Sequence, residues 1–440
     1  MSHEILGLVL LGCMFVVILG GFPISFTLFL LGIVFGYFAL EQRVFHLMTY
    51  TIFDTLNDTV LAAVALFTFM GYVLESAGLM NRLFHAVQLV FGRVHGSLYI
   101  ATIFTATLFA AATGIVGASV TIIALMAAPV MMRSGYDGRL CAGTICAGGT
   151  LGILIPPSVM LVVMGPTLQV SVARLYAGAL LPGLLLGSLY LAYTMTRIWL
   201  KPSLGPPLSG KELDVSGWYI LRELLFGLIP PAVLILATLG AIITGWATPT
   251  EGAALGCVGA LLVTAAHGRL TWTVFKDSVF RTAQTASMVM ILLVASNFLG
   301  AVFAALGTPT FIAKSLVAWG VPAEALILAV LVLCFILGWP LEWVPIVVII
   351  VPIFLPILDT LKVDMVWFCI LLAMVLQTCW LSPPVALSAY YLKAVVPKWE
   401  LKDIYMGMLP FMGLQWLAVL VVYFFPQIVL VLPNYFFGTR

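Results

Sequence analysis

Two Pro-Pro steps, Pro156-Pro157 and Pro383-Pro384, lie inside apolar stretches beside small hydroxyl residues, Thr150 and Ser158 at the first and Thr378 and Ser382 at the second. Proline has no amide hydrogen, so in a continuous helix each step deprives the carbonyls four residues upstream of their donors. Those carbonyls belong to Gly152 and Ile153 in one case and to Cys379 and Trp380 in the other. Uncharged carbonyl and hydroxyl oxygens suit a hard monovalent cation such as Na+, and the amino ends of half-helices at the same depth attract an anion. The pattern predicts coupling of a cation to an anionic solute. The competing reading is that proline and glycine only kink helices for packing; a second break beside each step favours function. Glu342 places a carboxylate inside an apolar stretch, either to neutralise the cation or to cap a turn. Glu75, Glu251 and Arg174 stand closer to the ends of apolar runs, where snorkelling or interfacial pairing is expected.

Each step follows a stretch of about 35 residues, Ser97 to Met131 and Val321 to Ile357, long for one helix across a hydrocarbon core of about 30 Å. The first is interrupted at Thr113-Gly114-Ile115-Val116-Gly117-Ala118-Ser119 and the second at Gly338-Trp339-Pro340-Leu341-Glu342. Both read as re-entrant hairpins. Non-helical backbone at membrane depth survives only when buried in protein or lining a wet cavity, so the two tips are expected to line a site.

The chain repeats itself. Pro129 to Pro156 and Pro356 to Pro383 span the same distance (156 − 129 = 383 − 356 = 27), and Asp137 and Asp364 follow each first proline alike. Gly71 with Gly78 is echoed by Gly300 with Gly307, and Leu181-Pro182-Gly183 by Leu409-Pro410-Phe411. The related regions run approximately over 60–195 and 290–425. Between them lies the polar, Pro/Gly-rich stretch Lys201 to Lys211, flanked by Arg197 and Arg222, which reads as a cytoplasmic connector. One turn carries Arg133 and Arg139, the other Asp359, Lys362 and Asp364, as expected for opposite faces in an inverted repeat.

Lipid is the solvent for most of this chain: of 440 residues 63% are hydrophobic and 8% charged, against about 25% charged in soluble domains. Roughly ten to fourteen spanning or half-spanning elements are expected. A net charge of +2, scattered over short loops, argues against nucleic acid or a polybasic lipid anchor. The first apolar run follows Met1-Ser2-His3-Glu4, lacks a basic start and outlasts a signal core, and so reads as a retained helix. Seven dispersed cysteines with no CxxC pair, and five histidines near run ends, read as packing and interfacial residues rather than metal ligands. Met80 to His95 resembles a helix lying in the interface. No HExxH, GxSxG or paired intramembrane carboxylates point to an enzyme, and a passive scaffold would not need two broken hairpins.

Gly117-Ala-Ser-Val, Arg-Ser-Gly-Tyr136-Asp137, Gly148 to Ser158, Gly338 to Trp343, Leu376-Gln377-Thr378 and Pro383-Pro384 together resemble the large membrane subunit of TRAP (tripartite ATP-independent periplasmic) transporters, across essentially the whole chain. The resemblance implies an all-α polytopic inner-membrane protein of a bacterium, an inverted repeat with an elevator-type transport domain sliding on a scaffold, and Na+ as the driving ion. It implies three partners: a small four-helix membrane subunit, a soluble periplasmic substrate-binding protein and an organic-anion solute. The implied organisation is scaffold helices and arm in 1–96, hairpin and broken helix in 97–170, scaffold in 171–290 with the connector at 197–222, helix and arm in 291–320, a second hairpin and broken helix in 321–395, and a C-terminal helix in 396–440. Carried over by motif, one Na+ site would use Gly117, Ala118, Ser119, Gly149, Thr150 and Gly152. The other would use Gly338, Glu342, Thr378, Cys379, Ser382 and Pro383, with Ser119, Ser158, Trp343 and Thr378 facing the solute. The chain departs from many relatives in carrying Glu342 where they have Asp, and Gly117-Ala118-Ser119 where they have Gly-Ser-Ser. Leu-Gln-Thr before the second step looks most like the branch labelled for mannitol or chloroaromatic compounds, and a carboxylate, a 2-oxo or hydroxy acid, is the expected solute. The nearest rival is a carboxylate carrier of the same architecture working without a binding protein.

Overall fold

A computed structural model describes residues 3–438 apart from Ile115, 209–214, 319–321, Pro340 and Pro384. Among the described residues every regular element is helical. Seven helices are long and apolar enough to cross a bilayer and seven shorter apolar helices accompany them, the upper end of the expected number. Large apolar side chains such as Phe38, Leu236 and Phe280 stand on the outer surface, which suits a lipid surround rather than water. Pro340, Ile115, Pro384 and part of the connector lie outside the described residues.

Both interruptions read from the sequence are present. Helix Ser97–Thr113 meets helix Val116–Arg133 at Gly114, and the two pack against each other. Gly114 has φ +62, a left-handed conformation that costs a side-chain-bearing residue about 1 kcal/mol. In the second copy Ala323–Leu337 ends before Gly338, and the chain resumes as Trp343–Pro345, a π-helical turn Ile346–Ile350 and Val351–Thr360. The helices that follow are broken too, but not as a continuous helix with two orphaned carbonyls. Gly138–Thr150 tightens into a 3-10 turn, Leu151–Ile153, and helix resumes only at Val159–Thr167; Met365–Thr378 stops and resumes at Leu387–Val395. Released from helical geometry, the chain closes its own polar groups. The Ser158 hydroxyl donates to the Ile153 carbonyl, and Ser388 Oγ donates to the Trp380 carbonyl at 2.5 Å. Two of the four carbonyls expected to be free therefore already hold a serine hydroxyl.

Asp137 and Asp364, matched in the sequence, do the same job. Each is the N-cap of a broken helix: Asp137 Oδ1 accepts the Leu140 amide at 2.8 Å, and Asp364 Oδ1 accepts those of Val366 at 2.9 Å and Trp367 at 3.1 Å. Asp364→Ala should destabilise the protein by about 1 kcal/mol, read as a lower thermal midpoint in detergent; an unchanged midpoint would show that the cap is not holding the helix start.

The outer framework centres on Trp272–Ala305, 34 residues long, packed against Ile24–Leu40, Arg43–Asn57 and Ala62–Ser76. The expected interfacial segment forms helix Leu79–Phe91, ending short of His95, with Leu83, Phe84 and Val87 buried and Arg82 and His85 exposed. The connector is docked rather than slack over 201–208: Gly96 N donates to Gly205 O at 2.8 Å, Leu208 N to Gly92 O at 2.9 Å and Asp137 N to Leu204 O at 3.1 Å. Glu251 closes a capping box with Thr248, and Arg174 donates to the carbonyls of Phe437 and Gly438 at 3.3 and 2.8 Å. Glu251 thus pairs within three residues, whereas Arg174 reaches acceptors 263 and 264 positions along the chain.

Candidate functional site

The two interruptions open onto one cavity of about 910 Å³. Gly114, Gly117 and Ala118 line it from the first break and Gly338, Glu342 and Trp343 from the second, with Cys379 and Trp380 from the second broken helix. Tyr72 and Glu75 from Ala62–Ser76, and Arg281, Gln284 and Thr285 from Trp272–Ala305, line it as well. The first residues of helices Val116–Arg133, Val159–Thr167 and Leu387–Val395 also face it. Helix amino ends carry partial positive charge and unpaired N–H groups, so three of them around one cavity favour an anion there.

Close packing joins each break to the neighbouring broken helix. A Cβ added to Gly114 would lie 3.0 Å from the Pro157 carbonyl oxygen, so the first break rests on the first Pro-Pro step. Pro156-Pro157 is a cis peptide. At the second break an added Cβ on Gly338 would lie 1.8 Å from Cys379 Sγ. Tyr391 crosses between the copies, its ring against Gly117, where an added Cβ would fall 2.9 Å from Cζ.

Residues 11–428 match the family described as the tripartite ATP-independent periplasmic transporter, DctM component. The chain belongs to this family. Among its relatives are the C4-dicarboxylate TRAP transporter large permease DctM of Pseudomonas aeruginosa, 30% identical over 87% of this chain and 88% of its own length, and the isethionate TRAP transporter permease DctMQ of Oleidesulfovibrio alaskensis, 29% identical over 88% of this chain. The chain spans 59% of that second relative's length. The 2,3-diketo-L-gulonate TRAP large permease YiaN of Escherichia coli is 23% identical over 96% of this chain and 98% of its own. In fold alone, the chain is similar to the Alcanivorax borkumensis YdaH transporter, with a TM-score of 0.63 at 15% identity over 90% of this chain and 89% of that one.

Within this DctM-family chain the site residues read from the sequence separate into two layers. Gly117, Ala118, Gly338, Glu342, Trp343 and Cys379 reach the cavity wall. Ser119, Thr150, Ser158, Thr378 and Ser382 are almost wholly buried, and like Gly149, Gly152 and Pro383 they are not among the residues that line it. Of the four residues expected to face the solute, only Trp343 does so in this conformation.

The buried hydroxyls are engaged. Thr378 Oγ1 donates to Val375 O at 2.5 Å, Ser382 Oγ to Thr378 O at 2.7 Å and Thr150 Oγ1 to Ala147 O at 2.8 Å. Thr150 also accepts Gln377 Nε2 at 3.2 Å. The two residues are 227 positions apart, the same separation as Asp137 and Asp364 (377 − 150 = 364 − 137 = 227).

Sequence reading passed over Tyr391, Tyr72 and Arg281. Tyr391 carried no local signal. Arg281 carried a weak one, as a charged residue in a helix whose later turns are apolar.

Proposed function

We propose that this large TRAP permease subunit carries out Na+-coupled uptake of a small organic anion across the bacterial inner membrane, the solute being a carboxylate of the 2-oxo or hydroxy acid type handed over by a periplasmic binding protein. The observation that carries the reading is the single cavity into which both helix breaks and three helix amino ends open, lined as well by Ala62–Ser76 and Trp272–Ala305. In this reading the transport step is an elevator, in which the unit holding 97–170 and 321–395 slides along the framework formed by the remaining segments and clamped by a small four-helix partner subunit. The matched contact between Thr150 and Gln377 supports an inverted repeat with its pseudo-axis inside the sliding unit.

Na+ belongs in this reading between each break and its neighbouring broken helix. One site draws on Gly117, Ala118, Ser119, Gly149, Thr150 and Gly152, the other on Gly338, Glu342, Thr378, Cys379, Ser382 and Pro383. Because the Ile153 and Trp380 carbonyls already accept hydroxyls, backbone oxygens of neighbouring residues are the better ligands. Glu342, facing the cavity from the second break, supplies the negative charge that a bound cation offsets. The C4-dicarboxylate and 2,3-diketo-L-gulonate names of two relatives support an organic anion.

The test is uptake by proteoliposomes holding this chain and its small partner, with the solute chosen by thermal-shift screening of the cognate binding protein against organic acids. Uptake should require both an inward Na+ gradient and the binding protein. In Ser119→Ala and Thr378→Ala the Na+ concentration for half-maximal rate should rise several-fold, since a polar ligand lost from a buried site costs about 1–3 kcal/mol. Full-rate uptake without the binding protein would instead identify a stand-alone carrier. Unchanged Na+ dependence in both variants would remove the ion sites.

A further inference from the structure

We propose that Glu75 and Arg281 form a carboxylate-exchange pair: Glu75 occupies the guanidinium while the cavity is empty, and the carboxylate of the solute displaces it. The proposal deepens the organic-anion reading above and rests on it for the identity of the solute.

Arg281 is the one basic residue among the described residues lining the cavity. It stands on the same helix face as Gln284 and Thr285, three and four positions on, so all three side chains point to one side. Its Nη1 donates to Glu75 Oε1 at 3.0 Å, and its guanidinium carbon lies 4.3 Å from the centre of the Tyr72 ring. Tyr72 is held in turn by a hydroxyl contact of 2.9 Å with Thr285. An arginine has five N–H donors in a planar fork. One serves Glu75, the ring sets the plane, and the side chain remains 47% exposed, so donors are left for a ligand on the cavity side.

A purely structural role explains this arrangement poorly. A single half-exposed ion pair contributes little, and helices Ala62–Ser76 and Trp272–Ala305 are already joined by the Tyr72–Thr285 contact and extensive packing. Arg281 meanwhile turns nearly half of its side chain to a cavity in which the pair with Glu75 uses only part of its donor fork. A cavity that admits carboxylates accounts for the placement. Planar, bidentate carboxylate recognition is what arginine does better than lysine, and an internal carboxylate keeps the charge satisfied between solutes. Glu342, which lines the same cavity, repels an anion unless a cation accompanies it, so Arg281 supplies the attraction.

The two roles predict opposite results for the two partners. In an exchange pair Glu75 competes with the solute, so Glu75→Gln should strengthen anion binding and Arg281→Gln should weaken it; in a structural pair both weaken it alike. The experiment is phenylglyoxal footprinting of the purified complex in detergent, with the adduct at Arg281 followed by peptide mass spectrometry. Sodium lactate, pyruvate and succinate serve as probes at millimolar concentration, with sodium chloride and glycerol as controls. The carboxylates should slow the Arg281 adduct several-fold while that at Arg222 is unaffected, and Glu75→Gln should bring half-protection to a severalfold lower concentration. Glu75→Asp, with a shorter reach, should fall between. In uptake, Arg281→Gln should raise the half-saturating solute concentration about tenfold, the loss of roughly one charged contact, with Arg281→Lys in between. Absence of protection by all three carboxylates, or weaker protection in Glu75→Gln than in wild type, overturns the pair. Protection at Arg281 in a wild-type complex that shows no Na+-driven uptake would leave the pair standing and remove the transport reading instead.

Discussion

Gly338→Ala should reduce uptake by more than tenfold while leaving the protein folded, and Cys379→Gly should restore much of it in the double variant. The added Cβ would fall 1.8 Å from Cys379 Sγ and 2.9 Å from its Cβ, with the Cys334 carbonyl oxygen 3.3 Å away. Gly338 has an ordinary right-handed conformation, φ −66, so alanine brings no backbone strain there and space is the whole issue. Overpacking of this kind costs about 1–3 kcal/mol when the neighbours give way. Giving way here means moving the second break off the end of helix Met365–Thr378, where the proposed ion site lies. Cys379→Ala removes only the sulfur and leaves the 2.9 Å contact, so rescue should be graded, glycine above alanine. Equal uptake by Gly338→Ala and wild type, or no rescue by either Cys379 variant, would show that this contact does not govern the site.

Thr150→Val should cost about 1–3 kcal/mol of stability, and Gln377→Leu a similar amount, but the two together less than their sum. Gln377 Nε2 donates to Thr150 Oγ1 at 3.2 Å in a fully buried setting, and Gln377 Oε1 has no partner among the described residues. Removing Thr150 leaves the amide with neither end partnered, and a buried polar group without a partner costs its full desolvation. Replacing both members by apolar groups removes the orphan along with the bond. The measurement is a double-mutant cycle on the thermal or denaturant midpoint of the purified complex. Strict additivity would mean that the two matched positions do not depend on each other.

Much of the framework of this site was legible from residue order because it depends on chemistry that acts within about four residues. Gly114 and Gly338 mark the breaks and Asp137 and Asp364 start the broken helices. Each follows from a backbone property: freedom at φ, absence of a side chain, or a carboxylate that accepts amide hydrogens. The same local logic misplaced the free carbonyls. It assumed a continuous helix upstream of the prolines, whereas the helices stop early enough for Ser158 and Ser388 to fold back onto Ile153 and Trp380. Ser388 lies eight residues beyond its acceptor, outside any helical spacing. Ser158 and Thr378, hydroxyls beside the broken helices, likewise turn to local carbonyls and do not line the cavity, whereas Trp343 does.

By itself the sequence determined that the chain lives in a bilayer, where its hairpin stretches break, and to which family it belongs, because composition, proline, glycine and long motifs carry that information along the chain. Only the tertiary structure decided what the cavity is made of. Arg281 meets Glu75 across 206 positions, Tyr391 lies against Gly117, and Gln377 finds Thr150 across 227. Such contacts depend on how whole helices pack, and no periodicity within one segment encodes which side chain of another will lie opposite.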